Sequence, residues 1–470
     1  MFRSALLASR CRLLGMPSRA RRIHSDSSSL YVHWPYCEKR CTYCNFNKYI
    51  SRNVDHDVMT ECLVRELTTV IRSSSISTIT TVFFGGGTPS LMRPRDVERV
   101  LQAVSRLTAA PVAEVTLECN PSPAAKDSLS DFKEAGVTRL SIGMQSLCND
   151  AELSSLGRTH SVEESLHCLD RAMHLFPGQV SVDILYGRPR QTLDGWLQEV
   201  QQVVQLGTAH VSLYELTLER GTQLFKEVQA GLQVAFKIGA ALGRAIRSSH
   251  RCRTPLLFAP VSQSLPDSET CSQMYLAAVE VLEREGLLRY EVSNFAHKGH
   301  ECKHNQACWR GLQYLGIGPG AHSRVLVGDG HWEARVQTLE PNPWIREVSQ
   351  RGHGTRLTRP LSRQDRLEEL LMMGLRTARG ICNQLPACHE SWDECRGQPR
   401  LLHAATAEGE DKQVDCHGAS PQSHVMPPPL LMCIVGFAAA FGLTMHNSVS
   451  RSSHLQVKGF CKASIVRRLQ

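Results

Sequence analysis

The amino-acid sequence predicts an α/β protein built as a partial (β/α)6 barrel, and three observations carry that expectation. Six strand-like runs recur roughly every thirty residues, amphipathic helix patterns fill the intervals, and polar residues gather where the strands end. Alternation of this length requires right-handed crossovers and therefore a parallel sheet. Polar groups converging from many strand ends describe a barrel mouth rather than an open sheet with one crevice.

The strand runs are 30–34, 80–84, 115–118, 139–143, 180–185 and 210–214, each short and rich in Val, Ile, Leu and aromatic residues. Between them, 57–71, 94–107, 124–135, 162–175 and 193–206 place apolar residues at three- and four-residue spacing, the signature of a helix with one buried face. Glu219-Arg220-Gly221-Thr222 closes this rhythm. Beyond it the sequence predicts a smaller α+β C-terminal region over 223–380, with an aperiodic loop insertion near 240–266, a helix over 274–285 and a strand over 290–295. Residues 381–470 form a divergent tail without periodicity. Its apolar stretch at 430–445 falls short of the roughly 20 residues a membrane helix needs, so no more than peripheral membrane association is expected.

At 470 residues and 42% hydrophobic content the chain is long enough for two or three domains with ordinary cores. Its 18 cysteines form no paired framework, which places it in a reducing compartment. Part of the net charge of +8 comes from Arg3, Arg10, Arg12, Arg19, Arg21 and Arg22, which precede the first acidic residue, Asp26. An Arg-rich, acid-free, Ser-containing start over 1–25 reads as a mitochondrial presequence and predicts delivery to the matrix. Elsewhere basic residues are scattered without aromatic interleaving, so no nucleic-acid partner is expected.

Three cysteines, Cys37, Cys41 and Cys44, stand in C-x-x-x-C-x-x-C spacing just after the first strand. Three thiolates hold three irons of a [4Fe–4S] cubane and leave the fourth open, and an open metal position binds ligand or does chemistry. A zinc knuckle completed by His33 is the plainer alternative. Gly85-Gly86-Gly87-Thr88-Pro89-Ser90 follows the second strand and can bring backbone amides close to a ligand. Glu118, Gln145 and Asp183 close the next strands and face the same space.

On these residues the chain resembles the HemN/HemW branch of the radical S-adenosylmethionine (SAM) proteins from Leu30 to about His322. The motifs are Cys37-x-x-x-Cys41-x-x-Cys44-x-Phe46, the Gly85–Ser90 turn, Ser141-Ile-Gly-x-Gln145-Ser146, Leu156-Gly-Arg158-Thr-His160, and His304-Asn305 followed by Trp309. The resemblance implies a TIM-like radical SAM barrel with an added C-terminal region. It implies that Cys37, Cys41 and Cys44 hold a [4Fe–4S] cluster and that Tyr31, Gly87, Thr88, Glu118, Gln145, Arg158 and Asp183 contact SAM. An electron donor would reduce the cluster. The coproporphyrinogen III oxidases of this branch carry a fourth cysteine where this chain has Phe46, so the resemblance favours the haem chaperones. In that subgroup a His-Asn-x-x-Tyr-Trp motif is associated with haem handling; here it reads His304-Asn-Gln-Ala-Cys308-Trp309, with His304 as candidate axial ligand and Cys308 as a soft second one, the alternative being a structural histidine packed beneath the barrel. The implied function is a mitochondrial haem chaperone with haem as cargo and a recipient haemoprotein as partner. Alternatives are an oxygen-independent coproporphyrinogen III oxidase and a cluster-bearing scaffold without function because of its altered C-terminus. No catalytic residue is assigned. Gly187-Arg188-Pro189 departs from the branch's Gly-Leu-Pro and puts a charge near the site.

Overall fold

In the computed structural model, which describes residues 26–51, 53–230, 265–328 and 330–380, all six predicted strands stand side by side in chain order. The first, β1 (Ser27–Trp34), leads into a short parallel pair, β2 (Tyr36–Cys37) and β3 (Tyr49–Ile50), that frames the cysteine loop. There follow α1 (His56–Arg72), β4 (Thr78–Gly86), α2 (Pro94–Leu107), β5 (Glu114–Cys119), α3 (Pro123–Glu134), β6 (Arg139–Gln145), α4 (Asp150–Ser155), α5 (Val162–Leu175), β7 (Val180–Tyr186), α6 (Leu193–Gln205) and β8 (His210–Glu215). Local chemistry sets the helix starts. Asp55 and Thr192 accept from the first-turn amides of α1 and α6, Ser161 and Glu164 form a capping box on α5, and Pro94 opens α2.

Strand alternation sorts the side chains into two opposite environments. Leu30, Val32 and Trp34, Val82 and Phe84, Leu117, Leu140 and Ile142, Val180 and Val182, and Val211 and Leu213 face outward and are buried under the helices, against Leu63, Val97, Phe132, Leu169 and Trp196. The register places the intervening residues together on the inner face: Ser29, Tyr31 and His33; Thr81, Phe83 and Gly85; Glu114, Thr116 and Glu118; Arg139 and Ser141; Ser181 and Asp183; His210 and Ser212. A (β/α)8 barrel normally fills this space with branched apolar side chains. Here the lumen is polar and aromatic, which suits a ligand chamber rather than a second core.

The remaining elements extend the same sheet: α7 (Ser268–Arg284), β9 (Leu288–Glu291), β10 (Asn294–Ala296), α8 (Lys303–Trp309), β11 (Tyr314–Ile317), β12 (His322–Val327), β13 (His331–Gln337), α9 (Pro341–Arg351), β14 (Thr355–Leu361) and α10 (Arg363–Gly374). The twelve-stranded order is β14-β13-β12-β11-β1-β4-β5-β6-β7-β8-β10-β9, open at both edges, so the barrel is partial as predicted. Within it β11 runs parallel to β1, a seventh parallel strand that the sequence did not reveal. The strand predicted over 290–295 is instead the hairpin of β9 and β10, and the helix predicted from 274 begins at Ser268, capped by Asp267. Among the described residues no helix is long and apolar enough to cross a membrane. The expected presequence over 1–25, nearly all of the insertion near 240–266 and the tail over 381–470 lie outside the described residues.

Candidate functional site

The three cysteines sit in one loop at the C-terminal mouth of the barrel, and two other loops hold that loop by backbone contact. Gly87 N–H donates to Trp34 O at 2.7 Å and Thr88 N–H to Tyr36 O at 2.9 Å. A Cβ on Gly87 would lie 2.7 Å from Tyr36 O and 2.8 Å from the Pro35 carbonyl carbon, so only glycine fits. From the other side Thr42 N–H donates to Leu156 O at 3.0 Å. Gly157, at φ +78°, leaves 3.1 to 3.2 Å between its missing Cβ and Thr42 N, Arg40 O and Cys41 Cα. The Gly-Gly-Gly and Leu-Gly-Arg motifs therefore share a task, bringing backbone against the cysteine loop. Asn47 ties the end of the loop down by donating to Pro319 O at 3.0 Å and Leu339 O at 2.9 Å.

The donor set fits an iron–sulfur cluster. All three thiols are free. Thr88 Oγ1 donates to Cys37 Sγ at 3.3 Å, Arg158 Nη1 to Cys41 Sγ at 3.5 Å, and Lys48 Nζ reaches Cys44 O at 2.5 Å. Burial pushes the Cys37 thiol up, with Cys41 and Cys44 adding to the effect and Thr88 and Lys48 opposing it. Metal ligation would supply the positive charge that three adjoining thiolates require. His33 does not serve the zinc alternative. It lies buried on the inner face of β1, Nε2 against Asn47 O at 2.9 Å and Nδ1 against Tyr31 Oη at 3.4 Å.

Next to this loop the structure assembles most of the residues expected at SAM. Glu118 Oε2 accepts from Gly86 N–H at 3.1 Å, and burial, with the Asp183 charge adding, pushes its carboxyl up to about 8. Asp183 is likewise raised by burial, while hydrogen bonds from Ser212 and Ser141 pull the other way; Ser141 Oγ stands 3.1 Å from both its oxygens. The Tyr31 phenol is raised by burial and by Glu118. Arg158 Nη2 donates to Asn120 Oδ1 at 2.5 Å and Gly143 O at 2.7 Å, beside Gln145, whose left-handed φ of 69° turns it at the end of β6. Two carboxyls inclined to neutrality, a phenol, an amide and an arginine thus line one wall over the cysteine loop.

His304 is elsewhere. It is 6% exposed on α8, which closes the opposite end of the lumen. Its Nδ1 pairs with Thr81 Oγ1 at 2.9 Å, its ring packs 5.1 Å from Phe83, and burial lowers its pKa to about 4. Glu114 caps α8 by accepting from the amides of Lys303 and His304, both at 3.0 Å. Cys308 lies one turn on, its thiol pushed by burial to about 12. Arg188 is buried behind the site, paired to Glu199 and, at 3.2 Å, to Glu152. Glu199 also accepts from Leu147 N–H at 2.7 Å and Ser146 Oγ at 3.1 Å, so the added charge braces the turn after Gln145. Sequence reasoning missed Asn47, Asn120 and Lys48; Asn120 stood in plain view after the third strand, whereas the other two act through residues distant in sequence.

Residues 31–203 match the radical SAM superfamily model. Over 77% of this chain, and 75% of the relative, the sequence is 48% identical to the zebrafish (Danio rerio) radical S-adenosyl methionine domain-containing protein 1, mitochondrial. The chain belongs to the radical SAM superfamily. Within it, the Escherichia coli heme chaperone HemW is 31% identical over 67% of this chain and 75% of its own length. Among solved structures, the radical SAM enzyme coproporphyrinogen III oxidase (HemN) of Escherichia coli superposes with a TM-score of 0.60 at 20% identity, covering 83% of this chain and 86% of the other. That likeness concerns the fold, a mostly parallel α/β sheet with helices on its outer face.

Proposed function

We propose that this protein is a mitochondrial haem chaperone that binds a [4Fe–4S] cluster and SAM. The observation that carries the reading is the joining, at one end of a polar barrel, of the three-cysteine loop with Glu118, Gln145, Arg158 and Asp183. Cys37, Cys41 and Cys44 would hold the cluster. Gly87 and Thr88, whose amides hold the cysteine loop, would stand against SAM beside it, Glu118 and Asp183 would take its hydroxyls, and Tyr31, Gln145 and Arg158 would shape its pocket. When bound, such a cluster supplies an electron to SAM; the protein's own groups orient the ligand and exclude water.

Cargo and direction are supported by the HemW relative, named a heme chaperone, and by Phe46 in place of a fourth cysteine. Phe46 is 62% exposed beside the cysteine loop. His304 would serve as axial ligand after releasing Thr81 and admitting haem to the α8 end of the lumen. Residues 1–25 would be the presequence, 29–222 the radical SAM barrel, 223–380 the region that carries the haem motif, and 381–470 the divergent tail. The mitochondrial relatives support a matrix location, where an electron donor and a recipient haemoprotein would be met.

The test separates chaperone from oxidase. Anaerobically reconstituted protein should take up haem and release it to an apo-haemoprotein, and should leave coproporphyrinogen III unchanged in the presence of SAM and reductant. Decarboxylation at about 1 s⁻¹, or even a hundredth of that, would overturn the chaperone reading.

A further inference from the structure

Between the proposed SAM wall and the α8 floor, the lumen holds an arginine that no carboxylate contacts directly, although Glu114 and Asp183 lie in its field. Arg139 opens β6 on the inner face, in register with Thr116, and is 3% exposed. Its Nη2 is buried without a hydrogen-bond partner, and so is Thr116 Oγ1 beside it. The two carboxylates that feel its charge are committed elsewhere. Glu114 accepts from two α8 amides and from Cys302 Sγ at 3.4 Å, and Asp183 accepts from Ser141. The other groups in its field are Tyr290 and Cys302, neutral acids raised by burial, and His210, lowered by burial and by Arg139 itself. Tyr290 Oη is itself engaged with His210 Nε2 at 2.9 Å and Asn305 Nδ2 at 3.1 Å. A buried guanidinium is costly unless paired, and a fork of N–H groups matches a carboxylate in two-point geometry.

We propose that Arg139 and Thr116 form a carboxylate-binding position in the barrel lumen, taking the acid group of an organic ligand. Arg139 lies two residues before Ser141 on the same face, so their Cα atoms stand about 7 Å apart along the strand. Resting on the haem reading above, that carboxylate is a haem propionate. His304 and Arg139 face the same end of the lumen, since Cys302 of the α8 cap lies in the field of Arg139. The position would equally accept a free organic acid, and two experiments on the full-length chain tell these apart.

In the first, thermal unfolding is followed in millimolar sodium propionate against sodium chloride of equal ionic strength. Propionate should raise the melting temperature of the wild type, raise that of Arg139→Lys less, and leave Arg139→Met unmoved. Equal responses of wild type and Arg139→Met, or no response of the wild type, would overturn the proposal. So would a ligand-free Arg139→Met that melts far below the wild type or does not fold, because the arginine would then be structural. In the second, haem and haem dimethyl ester are titrated into both proteins. Wild type should prefer haem by roughly tenfold or more, and Arg139→Met should lose the preference. A preference undiminished in Arg139→Met would overturn the propionate assignment. Absence of haem binding in every protein would end the haem reading and leave the propionate melts to decide the carboxylate position.

Discussion

Replacing Gly157 by Ala probes the seam between the Leu-Gly-Arg motif and the cysteine loop. The glycine holds a φ of +78°, which costs an L-residue about 1 to 2 kcal/mol. The new methyl would meet Thr42 N at 3.1 Å and Arg40 O and Cys41 Cα at 3.2 Å, all backbone atoms that must yield by a few tenths of an ångström. If the loop retreats, the Thr42–Leu156 hydrogen bond is lost at a further cost of about 1 kcal/mol. Gly207, at φ +70° with nothing within 4 Å of its Cβ position, supplies the control, since Gly207→Ala bears only the backbone term. At roughly 2 °C per kcal/mol, Gly157→Ala should melt about 2 °C or more below Gly207→Ala. It should also retain less iron and acid-labile sulfide after anaerobic reconstitution. Equal melting temperatures and equal iron in the two variants would refute the claim that this contact shapes the cysteine loop.

Cys41→Ala should abolish the brown colour of the reconstituted protein; a variant still holding about four irons per chain would place the ligands elsewhere. Glu118→Ala and Asp183→Ala should weaken SAM binding roughly ten- to hundredfold at unchanged iron content, measured by equilibrium dialysis. Glu118, raised in the fold from 4.5 to about 8, stays protonated where the unfolded chain has ionised, so it withdraws stability as pH rises from about 4.5 to 8. Glu118→Gln should therefore flatten the fall of ligand-free stability across that window, as read by denaturant midpoints. Glu66 accepts from Gly318 N–H at 2.8 Å, Gly354 N–H at 2.7 Å and Trp344 Nε1 at 3.1 Å, so Glu66→Gln turns an amide donor toward donors and should cost about 1 to 3 kcal/mol in urea unfolding.

The barrel was legible where one element carries its own signal. The spans 94–107 and 162–175 emerge unchanged because Pro94 and the Ser161 cap mark their starts. The cysteine loop and the strand-end carboxylates were legible because spacing and strand order alone bring them together. The rest depends on distant partners. Strand β11 contains only Tyr-Leu-Gly-Ile and is defined by its pairing with β1. His304 was found by its motif, yet its place at the floor follows from Glu114 capping α8 and from the Thr81 hydrogen bond. Arg139 and His210 begin their strands, where strand-end patterning does not mark them; only the register reveals that polar groups line most of the inner face alongside Tyr31 and Phe83.

Haem titration of the intact, anaerobically reconstituted chain, followed through the Soret band, tests the chaperone reading most directly. The account predicts saturable uptake and a Soret band that shifts or collapses in His304→Ala. A wild-type chain that carries its cluster and binds SAM yet never develops a saturable Soret band would contradict it.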